Sequence, residues 1–529
     1  MSQRFKYLLI PLLGGAMLGL AWPPNSLPFL LFLGFVPFFI LEDFFTTPKS
    51  GKYFFGYLYL GLFLFNFITT WWVWYASPGG AVFMLIANTA LMTLPFLAYR
   101  ILKRNVGLGR ALFGFILAWL SFEYFHFRWQ LSYPWLTLGN AFATTPNLVQ
   151  WYEYTGVLGG SLWILAVNSF LFYIGKNYRK RHVWITVALL VFPIFLSIVI
   201  WFVEILPHKG NQGKKVLIIQ PNIDPYNEKF ADGGVEGQLE KFFMLCDQQR
   251  DEHINLIVLP ETALANLIDE EELENYFAIR RIKSYLKNYP NPDVKMLIGA
   301  STMKYLPKTE QPSQFTRINP YNGQYYTSYN TALLIDKNGV QKIYHKSKLV
   351  PGVEAFPFPK FFAFFDKLLH LDLGGEAGNL GRDSSAVCFN VEDVSVAPLI
   401  CYESIYGEYV SDFTNQQADM LAVITNDGWW KNTAGHKQHK HYARLRAIEQ
   451  RRWVVRSANT GISCVIDDAG NVHQELGWWQ EGIITEYIPE RTKTTFYSKS
   501  GDYIGKIAQY LFVLLMLSVF VKWKVRQGK

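Results

Sequence analysis

Eight long apolar runs constrain this chain more than any other feature of its sequence. Seven fill the first 206 residues, and the eighth lies near the carboxyl end. A helix needs about 20 apolar residues to cross the hydrocarbon core of a membrane, and several of the runs approach that length. Only 17% of the residues are charged, whereas about a quarter is usual in soluble domains. We therefore predict an integral membrane bundle of about eight transmembrane helices, at residues 7–22, 29–41, 53–75, 81–99, 111–127, 158–174, 183–206 and 503–521.

The first run has the basic flank of a signal peptide, because Arg4 and Lys6 precede it. Residues 21–24, however, read Ala-Trp-Pro-Pro and form a poor cleavage site. We therefore expect this run to be a retained helix.

Basic residues beside the apolar runs predict how the helices are oriented. With alternating spans, sixteen basic residues fall on one side of the membrane and only Arg128 falls on the other. Short cytoplasmic loops are rich in Lys and Arg, so both termini are predicted to be cytoplasmic. Residues 207–502 then lie outside the cytoplasm. The sixteen are Arg4, Lys6, Lys49, Lys52, Arg100, Lys103, Arg104, Arg110, Lys176, Arg179, Lys180, Arg181, Lys522, Lys524, Arg526 and Lys529.

The composition changes after residue 206, where short β-branched runs alternate with charged stretches. KVLIIQPN, INLIVLPET, VKMLIGAST, SVAPLICYE and MLAVITNDG are typical of strands buried on both faces. GVEGQLEKFFMLCDQQRD and HKHYARLRAIEQRRW have the periodicity of amphipathic helices. TALLIDKNGVQKIYH and SCVIDDAGNVHQEL predict hairpins. The expected organisation is a seven-helix membrane region at 1–206, an α/β domain at 207–502, and a final membrane helix with a basic tail at 503–529.

Cys401 ends one of the predicted strands, in the sequence LICYES. Pro260-Glu261 ends a second strand, and Asn426-Asp427 ends a third. Side chains at the carboxyl ends of strands line the ligand crevice in layered α/β folds. A free cysteine in a buried strand also packs well as a small hydrophobic residue. At this point Cys401 remains either a structural thiol or a nucleophile.

A nucleophilic cysteine needs a base or a nearby cation, because the thiolate is the form that attacks. Glu261 follows the apolar run LIVLP, where a partly desolvated carboxylate takes up protons more readily. Lys346, in YHKSKLVPGVEAFPF, could stabilise both the thiolate and the oxyanion of a tetrahedral intermediate. Taken singly, each also fits an ordinary role, as a strand-end carboxylate or a solvated loop lysine.

Neither the cysteines nor the histidines predict a metal site. The four cysteines show no CxxC spacing and are too few for a disulfide framework. His436, His439 and His441, in GHKQHKH, are interpreted as the start of a basic helix, because no suitably placed carboxylate or cysteine completes a ligand set. We predict no metal and no cofactor. The net charge of +8 is concentrated beside the membrane spans, which does not favour nucleic-acid binding.

Three motifs together resemble the nitrilase, or carbon–nitrogen hydrolase, superfamily: LPETA around Glu261, YHKSKLVPGVE around Lys346 and LICYES around Cys401. NDGWW and RLRAIEQRRWVVRSANTGIS resemble the helix and strand that follow in the same superfamily. The domain has seven predicted spans before it and one after, and this arrangement closely resembles the apolipoprotein N-acyltransferase family. Two further segments resemble parts of that family: FRWQLSYPWLTLGNAFATTPNLVQWYEYTGVLGGS and QPNID. The resemblance implies an α-β-β-α sandwich, a Glu261, Lys346, Cys401 triad, and no metal.

The same resemblance extends to neighbouring residues, with visible departures. The family usually reads VPFGE where residues 350–354 read Val-Pro-Gly-Val-Glu, and WFG where residues 429–431 read Trp-Trp-Lys. It often has tryptophan after a lysine where this chain has Lys229-Phe230. These departures concern the pocket and the acyl preference, not the triad. The supporting residues that the resemblance implies are Glu354, Tyr402, Glu403 and Asn330.

The activity implied by the resemblance is acyl transfer at a bacterial inner membrane, with the catalytic domain facing the periplasm. A phospholipid would donate a fatty acyl chain to Cys401, and the amino-terminal amine of a diacylglyceryl-modified lipoprotein would accept it. A monomer without nucleic-acid partners is expected. A membrane-bound nitrilase-type amidase with the same triad is one alternative, and a transporter with an outer binding domain is another. The spans carry few ionisable residues, chiefly Glu123, which disfavours the transporter.

Overall fold

Two compact units make up the chain in the computed structural model, which describes residues 3–25, 27–47, 51–205, 213–228, 234–358 and 379–527. One unit comprises Met1–Trp74, Pro78–Pro207 and Ser500–Lys529, and its described elements are all helical. The other comprises Tyr75–Ser77 and His208–Lys499, and it has an α/β fold.

The first unit is helical because a backbone surrounded by lipid must satisfy its hydrogen bonds internally. Short 3₁₀ turns at Pro134–Leu136, Leu138–Thr144 and Pro146–Leu148 connect two of its longer helices, and a π turn at Trp201–Ile205 ends a third. In chain order the helices are α1 (Gln3–Leu20), α2 (Leu31–Gly34), α3 (Val36–Phe44), α4 (Gly51–Thr70), α5 (Val73–Ala76), α6 (Pro78–Met92), α7 (Leu94–Val106), α8 (Leu108–His126), α9 (Tyr152–Lys176) and α10 (Lys180–Ile200), with Tyr503–Gln527 near the carboxyl end.

Six of the eight predicted spans are, among the described residues, helices long and apolar enough to cross a membrane. The other two predicted runs are also helical, but the second is interrupted at Phe35, between α2 and α3. Asn168 of α9 stabilises the interrupted backbone. Its side chain accepts a hydrogen bond from Phe35 N at 2.9 Å and donates one to Leu31 O at 2.7 Å. A total of eight spans therefore remains a prediction. The six are Gly51–Thr70, Pro78–Val106, Leu108–His126, Tyr152–Lys176, Lys180–Val203 and Tyr503–Val525.

The second unit confirms the five predicted strands and both predicted hairpins. Its described strands are β1 (Lys214–Gln220), β2 (Ile254–Val258), β3 (Leu264–Asp269), β4 (Lys295–Tyr305), β5 (Thr316–Ile318), β6 (Tyr325–Asp336), β7 (Gly339–His345), β8 (Phe389–Val391), β9 (Val394–Ile400), β10 (Met420–Thr425), β11 (Trp453–Ala458), β12 (Ser463–Ile466), β13 (Val472–Leu476) and β14 (Gly482–Ile488). The helices that follow α10 are α11 (Gly234–Asp247), α12 (Phe277–Lys287), α13 (Gly407–Asn415), α14 (Ala434–Gln450), α15 (Phe496–Ser500) and α16 (Tyr503–Gln527).

The strands form two sheets that face each other. One has the order β14-β1-β2-β4-β6-β5, with β3 also on β4 and β7 also on β6, and the other has the order β13-β12-β11-β10-β9-β8. Ser457 of β11 donates to Ile219 O of β1 at 2.8 Å, which joins the sheets. Helices α11 and α12 pack on the first sheet, and α13 and α14 pack on the second. The unit is therefore the predicted α-β-β-α sandwich.

Parallel pairing brings the carboxyl ends of the central strands together. Strand β10 pairs in parallel with both β9 and β11, and Ile424 of β10 lies opposite Ile400 of β9. All six residues of β10 are buried, and each large apolar side chain buried in this way stabilises the fold by about 1.5–3 kcal/mol. The same packing fixes the register, so Cys401 and the residues after Thr425 emerge side by side.

Candidate active site

Cys401 is the first residue after β9 and begins a 3₁₀ turn, Cys401–Ile405, which we call the nucleophile turn. Its φ of 52° lies in the left-handed region, which costs a residue with a side chain about 1–2 kcal/mol. The residue is buried, with 9% of its surface exposed. A sharp reversal of the backbone thus places the thiol at the carboxyl edge of the second sheet, within reach of a small group.

Glu261 lies three residues beyond the end of β2 and is buried. Its Oε1 accepts hydrogen bonds from Asn330 Nδ2 at 2.8 Å and from Lys346 Nζ at 3.0 Å, and its Oε2 accepts from Asn426 N at 3.0 Å. A side chain on Gly299 would place its Cβ 2.6 Å from the Glu261 Cα, so the close packing of β4 here requires glycine. The carboxylate is therefore fixed by donors from both sheets.

Lys346 follows β7 directly, and its side chain is 1% exposed. The ammonium donates to Glu261 at 3.0 Å and to Glu354 Oε1 at 2.7 Å. Asn330 Nδ2 also donates a hydrogen bond to Glu354 Oε1 at 3.2 Å, and Val350 N donates one to Glu354 Oε2 at 2.8 Å. Burial acts to lower the pKa of Lys346, but the two carboxylates outweigh it and raise this pKa well above its usual value. Lys346 is therefore a fixed positive charge between two acids.

The Cys401 thiol is protonated at rest. Burial raises the pKa of Cys401, the charge of Glu261 raises it further, and Lys346 offsets only part of the increase. The pKa of the thiol therefore lies well above its usual value, and if Cys401 acts as a nucleophile a base must remove its proton. Glu261 is the carboxylate whose charge acts most strongly on this thiol.

Glu403 ties the nucleophile turn to the chain that follows Lys346. Its Oε1 accepts from Tyr344 Oη at 2.5 Å and from Ser347 N at 2.6 Å, and its Oε2 accepts from Ile400 N at 2.8 Å. Burial raises the pKa of Glu403 to about 7. Tyr402 is buried beside it, with its ring edge-on to another tyrosine of the turn region. Glu403 therefore links the nucleophile turn, to which Tyr402 also belongs, to the backbone that follows Lys346.

The expectation that no suitably placed carboxylate or cysteine completes a ligand set with the histidines of GHKQHKH is wrong. One side-chain ligand atom from each of Cys401, Asp427 and His439 lies within 4.8 Å of the others, and all three residues are buried. They meet because α14 packs across the nucleophile turn and the turn that follows β10. A buried arginine within the apolar strand WVVRSA was the available sequence signal, because such a charge needs a buried acid as its partner.

This cluster is already satisfied by hydrogen bonds rather than open to a metal ion. Asp427 Oδ1 contacts His439 Nδ1 at 2.9 Å and accepts from Thr425 Oγ1 at 2.8 Å, and its Oδ2 accepts from Arg456. The guanidinium would repel a cation at this position. Burial acts to raise the pKa of Asp427, but Arg456 and His439 hold it well below its usual range, so the acid is charged.

The remaining predicted positions lie at the edge of this region. Gly352 has a φ of 81°, a left-handed conformation that the family's bulkier residue there would adopt only with strain. Trp430 packs edge-on against His439, with ring centroids 5.6 Å apart. His436 instead stacks on Trp478 at 4.4 Å. Lys229-Phe230 lie outside the described residues.

Comparison with known proteins extends over the whole chain. Residues 218–496 match the carbon-nitrogen hydrolase family model, and residues 14–170 match that of the apolipoprotein N-acyltransferase N-terminal domain. The apolipoprotein N-acyltransferase of Chlorobaculum tepidum is 28% identical, covering 98% of this chain and 97% of that protein. That of Rickettsia bellii is 29% identical, covering 93% of this chain and 93% of that protein. That of Rhodopseudomonas palustris is 28% identical, covering 98% of this chain and 96% of that protein.

Proposed function

The chain belongs to the carbon–nitrogen hydrolase family, and from that premise we propose that it is an apolipoprotein N-acyltransferase acting through a thioester on Cys401. The observation that carries the proposal is the Lys346 ammonium held between Glu261 and Glu354, beside a thiol whose charge state depends on both Glu261 and Lys346. The helical unit and the relatives of nearly equal length support acyl transfer over hydrolysis of a soluble amide.

The first half-reaction forms the thioester. Glu261 takes the proton of the Cys401 thiol, and the sulfur attacks the carbonyl carbon of a phospholipid acyl ester. Negative charge develops on the carbonyl oxygen, where the Lys346 ammonium stabilises it. When the carbon–oxygen bond breaks, protonated Glu261 returns its proton to the leaving oxygen. A lysophospholipid departs, Cys401 carries the acyl chain, and Glu261 is a base again.

The second half-reaction forms the amide. The free α-amine at the amino terminus of a diacylglyceryl-modified lipoprotein attacks the thioester carbon, and Glu261 accepts a proton from the nitrogen. The tetrahedral intermediate collapses with loss of the Cys401 sulfur, which takes the proton back from Glu261. The products are an N-acylated lipoprotein and the resting thiol. Each residue of the triad ends as it began, so the cycle can repeat.

The phospholipid donor, the lipoprotein acceptor and the orientation in the membrane are parts of this proposal. Six apolar helices make the chain a membrane protein, which suits an enzyme whose two substrates are lipids. The distribution of basic residues favours cytoplasmic termini, with the catalytic domain at 207–502 facing the periplasm of a bacterial inner membrane, between the helical region 1–206 and the segment 503–529. Glu354, Tyr402, Glu403 and Asn330 act as supporting residues.

Intact-protein mass spectrometry tests the proposal. The purified protein is incubated with phospholipid beside Cys401→Ala, and beside Cys388→Ala as a control at a partly buried cysteine that directly precedes β8. We expect a fatty-acyl adduct that hydroxylamine removes in the wild type and in Cys388→Ala, and none in Cys401→Ala. An adduct that persists in Cys401→Ala, or none in the folded wild type, contradicts the proposal.

The acceptor separates acyl transfer from amide hydrolysis. The acylated protein is mixed with a short peptide that begins with diacylglyceryl-cysteine, and with the same peptide acetylated at its amine. We expect loss of the adduct and one added acyl chain on the free-amine peptide only. Release of free fatty acid at the same rate with both peptides, or turnover of a small amide in place of the lipid, would favour the amidase.

A further inference from the structure

The carbonyl oxygen of Cys401 has two side-chain partners. Ser404 Oγ donates to it at 2.8 Å, and His439 Nε2 lies 3.2 Å from it. The two partners also contact each other, at 3.0 Å. They hold the one residue of the nucleophile turn whose φ is left-handed, a conformation that persists only where the surroundings enforce it. The direction of the thiol therefore depends on this pair of contacts.

A second set of contacts fixes the ring of His439. Nδ1 lies 2.9 Å from Asp427 Oδ1 and 3.2 Å from Arg456 Nη2, while Arg456 also donates to Asp427 Oδ2. The side chains of all three residues are 0% exposed. Asp427 follows β10, Arg456 lies in β11 and His439 lies in α14. Three neighbouring elements thus converge on one imidazole, and that imidazole contacts the nucleophile turn.

A buried ion pair seldom adds net stability over apolar side chains of similar size. The Asp427–Arg456 pair is therefore poorly explained as a source of stability alone. Its geometry has a specific result, because it leaves the imidazole no freedom to turn away from Cys401. The charge of Asp427 also acts to raise the pKa of Cys401, and the His439 ring contacts that same carboxylate.

We propose that His439 is a positioning residue for the nucleophile. Together with Ser404 it fixes the Cys401 carbonyl, and its other ring nitrogen contacts the Asp427 carboxylate that lies beside the thiol. This inference rests on the proposed thioester chemistry. It gives a role to a histidine of the GHKQHKH motif, which neither a metal site nor the triad explains. His439 would not touch the substrate, so its removal should affect the chemical step rather than lipid binding.

Three variants test the role: His439→Ala, His439→Gln, whose amide can reach the same carbonyl oxygen, and His441→Gln. His441 is the matched control, a partly buried histidine on the same helix that contacts Arg444 at 3.4 Å rather than the nucleophile turn. For each variant the rate of thioester formation is measured against phospholipid concentration. The rate of Cys401 alkylation by iodoacetamide is measured against pH.

We expect His439→Ala to slow thioester formation by about 10²-fold with little change in KM, because small misplacements of reacting groups have effects of that size. Its alkylation profile should move to higher pH. Without the contact from His439, the negative charge of Asp427 would oppose formation of the thiolate more strongly. His439→Gln should restore part of both losses, and His441→Gln should match the wild type. Wild-type rates and pH profile in His439→Ala would overturn the inference, as would equal damage in His441→Gln.

Two further measurements keep the test decisive. If His439→Ala does not fold, Ser404→Ala removes one contact on the same oxygen, and wild-type behaviour of both Ser404→Ala and His439→Gln would overturn the inference. Alkylation needs no lipid. A wild type that forms no thioester would therefore refute the proposed function, while the shift of the alkylation profile would still decide the role of His439.

Discussion

Lys346 Nζ donates to Glu354 Oε1 over 2.7 Å, closer than its 3.0 Å contact with Glu261. Glu354 therefore shares the ammonium and weakens its hold on Glu261, the proposed base. In Glu354→Gln the full charge of Lys346 would act on Glu261, which would then accept the thiol proton less readily. We expect thioester formation to fall about 10²–10³-fold, within the range typical of general-base catalysis. Single-turnover kinetics measure this, and Glu310→Gln, an exposed acid, serves as the control.

Tyr344→Phe should destabilise the α/β unit, because Tyr344 Oη donates to the buried Glu403 at 2.5 Å. Removing one partner of a buried hydrogen bond costs about 1–3 kcal/mol in the free energy of unfolding. Denaturant unfolding measures the change. Tyr289→Phe is the control, since the Tyr289 hydroxyl is buried with no hydrogen bond among the described residues. An equal effect of both substitutions would contradict the role given to Glu403.

His345 should make stability depend on pH. Its Nε2 lies 2.7 Å from Glu270 Oε1 and its Nδ1 lies 2.9 Å from Asp383 Oδ1. Burial lowers the pKa of His345, but the two acids outweigh it and raise this pKa above its usual value. The imidazolium's contribution is therefore complete below its unfolded pKa of about 6.5 and is lost as pH rises through the folded value.

We accordingly expect His345→Gln to lower Tm more at about pH 6 than at about pH 9. The pKa values of Glu270 and Asp383 are lowered by the same contacts, so their contribution disappears only in acid, as pH falls through their folded values. His473→Gln provides the comparison, because its pair with Asp467 is solvent-exposed. A difference in Tm that did not vary with pH would refute the assignment of a charged His345.

Gly139→Ala should disrupt the helical unit. A Cβ on Gly139 would lie 1.9 Å from Val157 O, a backbone atom of α9 that cannot move aside. Overpacking of this kind costs about 1–3 kcal/mol. We expect a lower yield of folded protein in detergent, measured by size-exclusion chromatography and by Tm. Gly175→Ala, whose Cβ would meet nothing within 4 Å, should behave as the wild type. Equal yield and Tm in the Gly139→Ala and Gly175→Ala variants would contradict the close packing of Gly139 against α9.

The sequence predicts those parts of the fold that depend on local pattern. Strands β1, β2, β9 and β10 are built on apolar runs because their residues are largely buried, and each ends close to the polar residues that follow the run. Strand β4 instead continues to Tyr305, past the polar Ser301 and Thr302. The positions of Glu261 and Cys401 could be predicted for that reason. The contact of Lys346 with two acids depends on how the loop after β7 folds back, which no local pattern records.

The misses have the same origin. His439 is 38 residues from Cys401 in the chain, and only the packing of α14 over the parallel strands brings the two together. The interruption at Phe35 depends on Asn168, which is 133 residues away. In both cases a polar side chain from a distant element satisfies a backbone group. Such pairings cannot be found by reading periodicity within one segment.

Strands β1 and β14 are the first and last strands of the α/β unit, and they pair antiparallel with Lys214 opposite Ile488. The chain therefore enters the first strand of this unit beside the point where it leaves the last strand. A module closed in this way can be inserted into a host gene at a single position, because its ends need no long spacer to rejoin the host chain. The chain order, helices followed by sandwich followed by one helix, is what such an insertion before the last helix would leave behind.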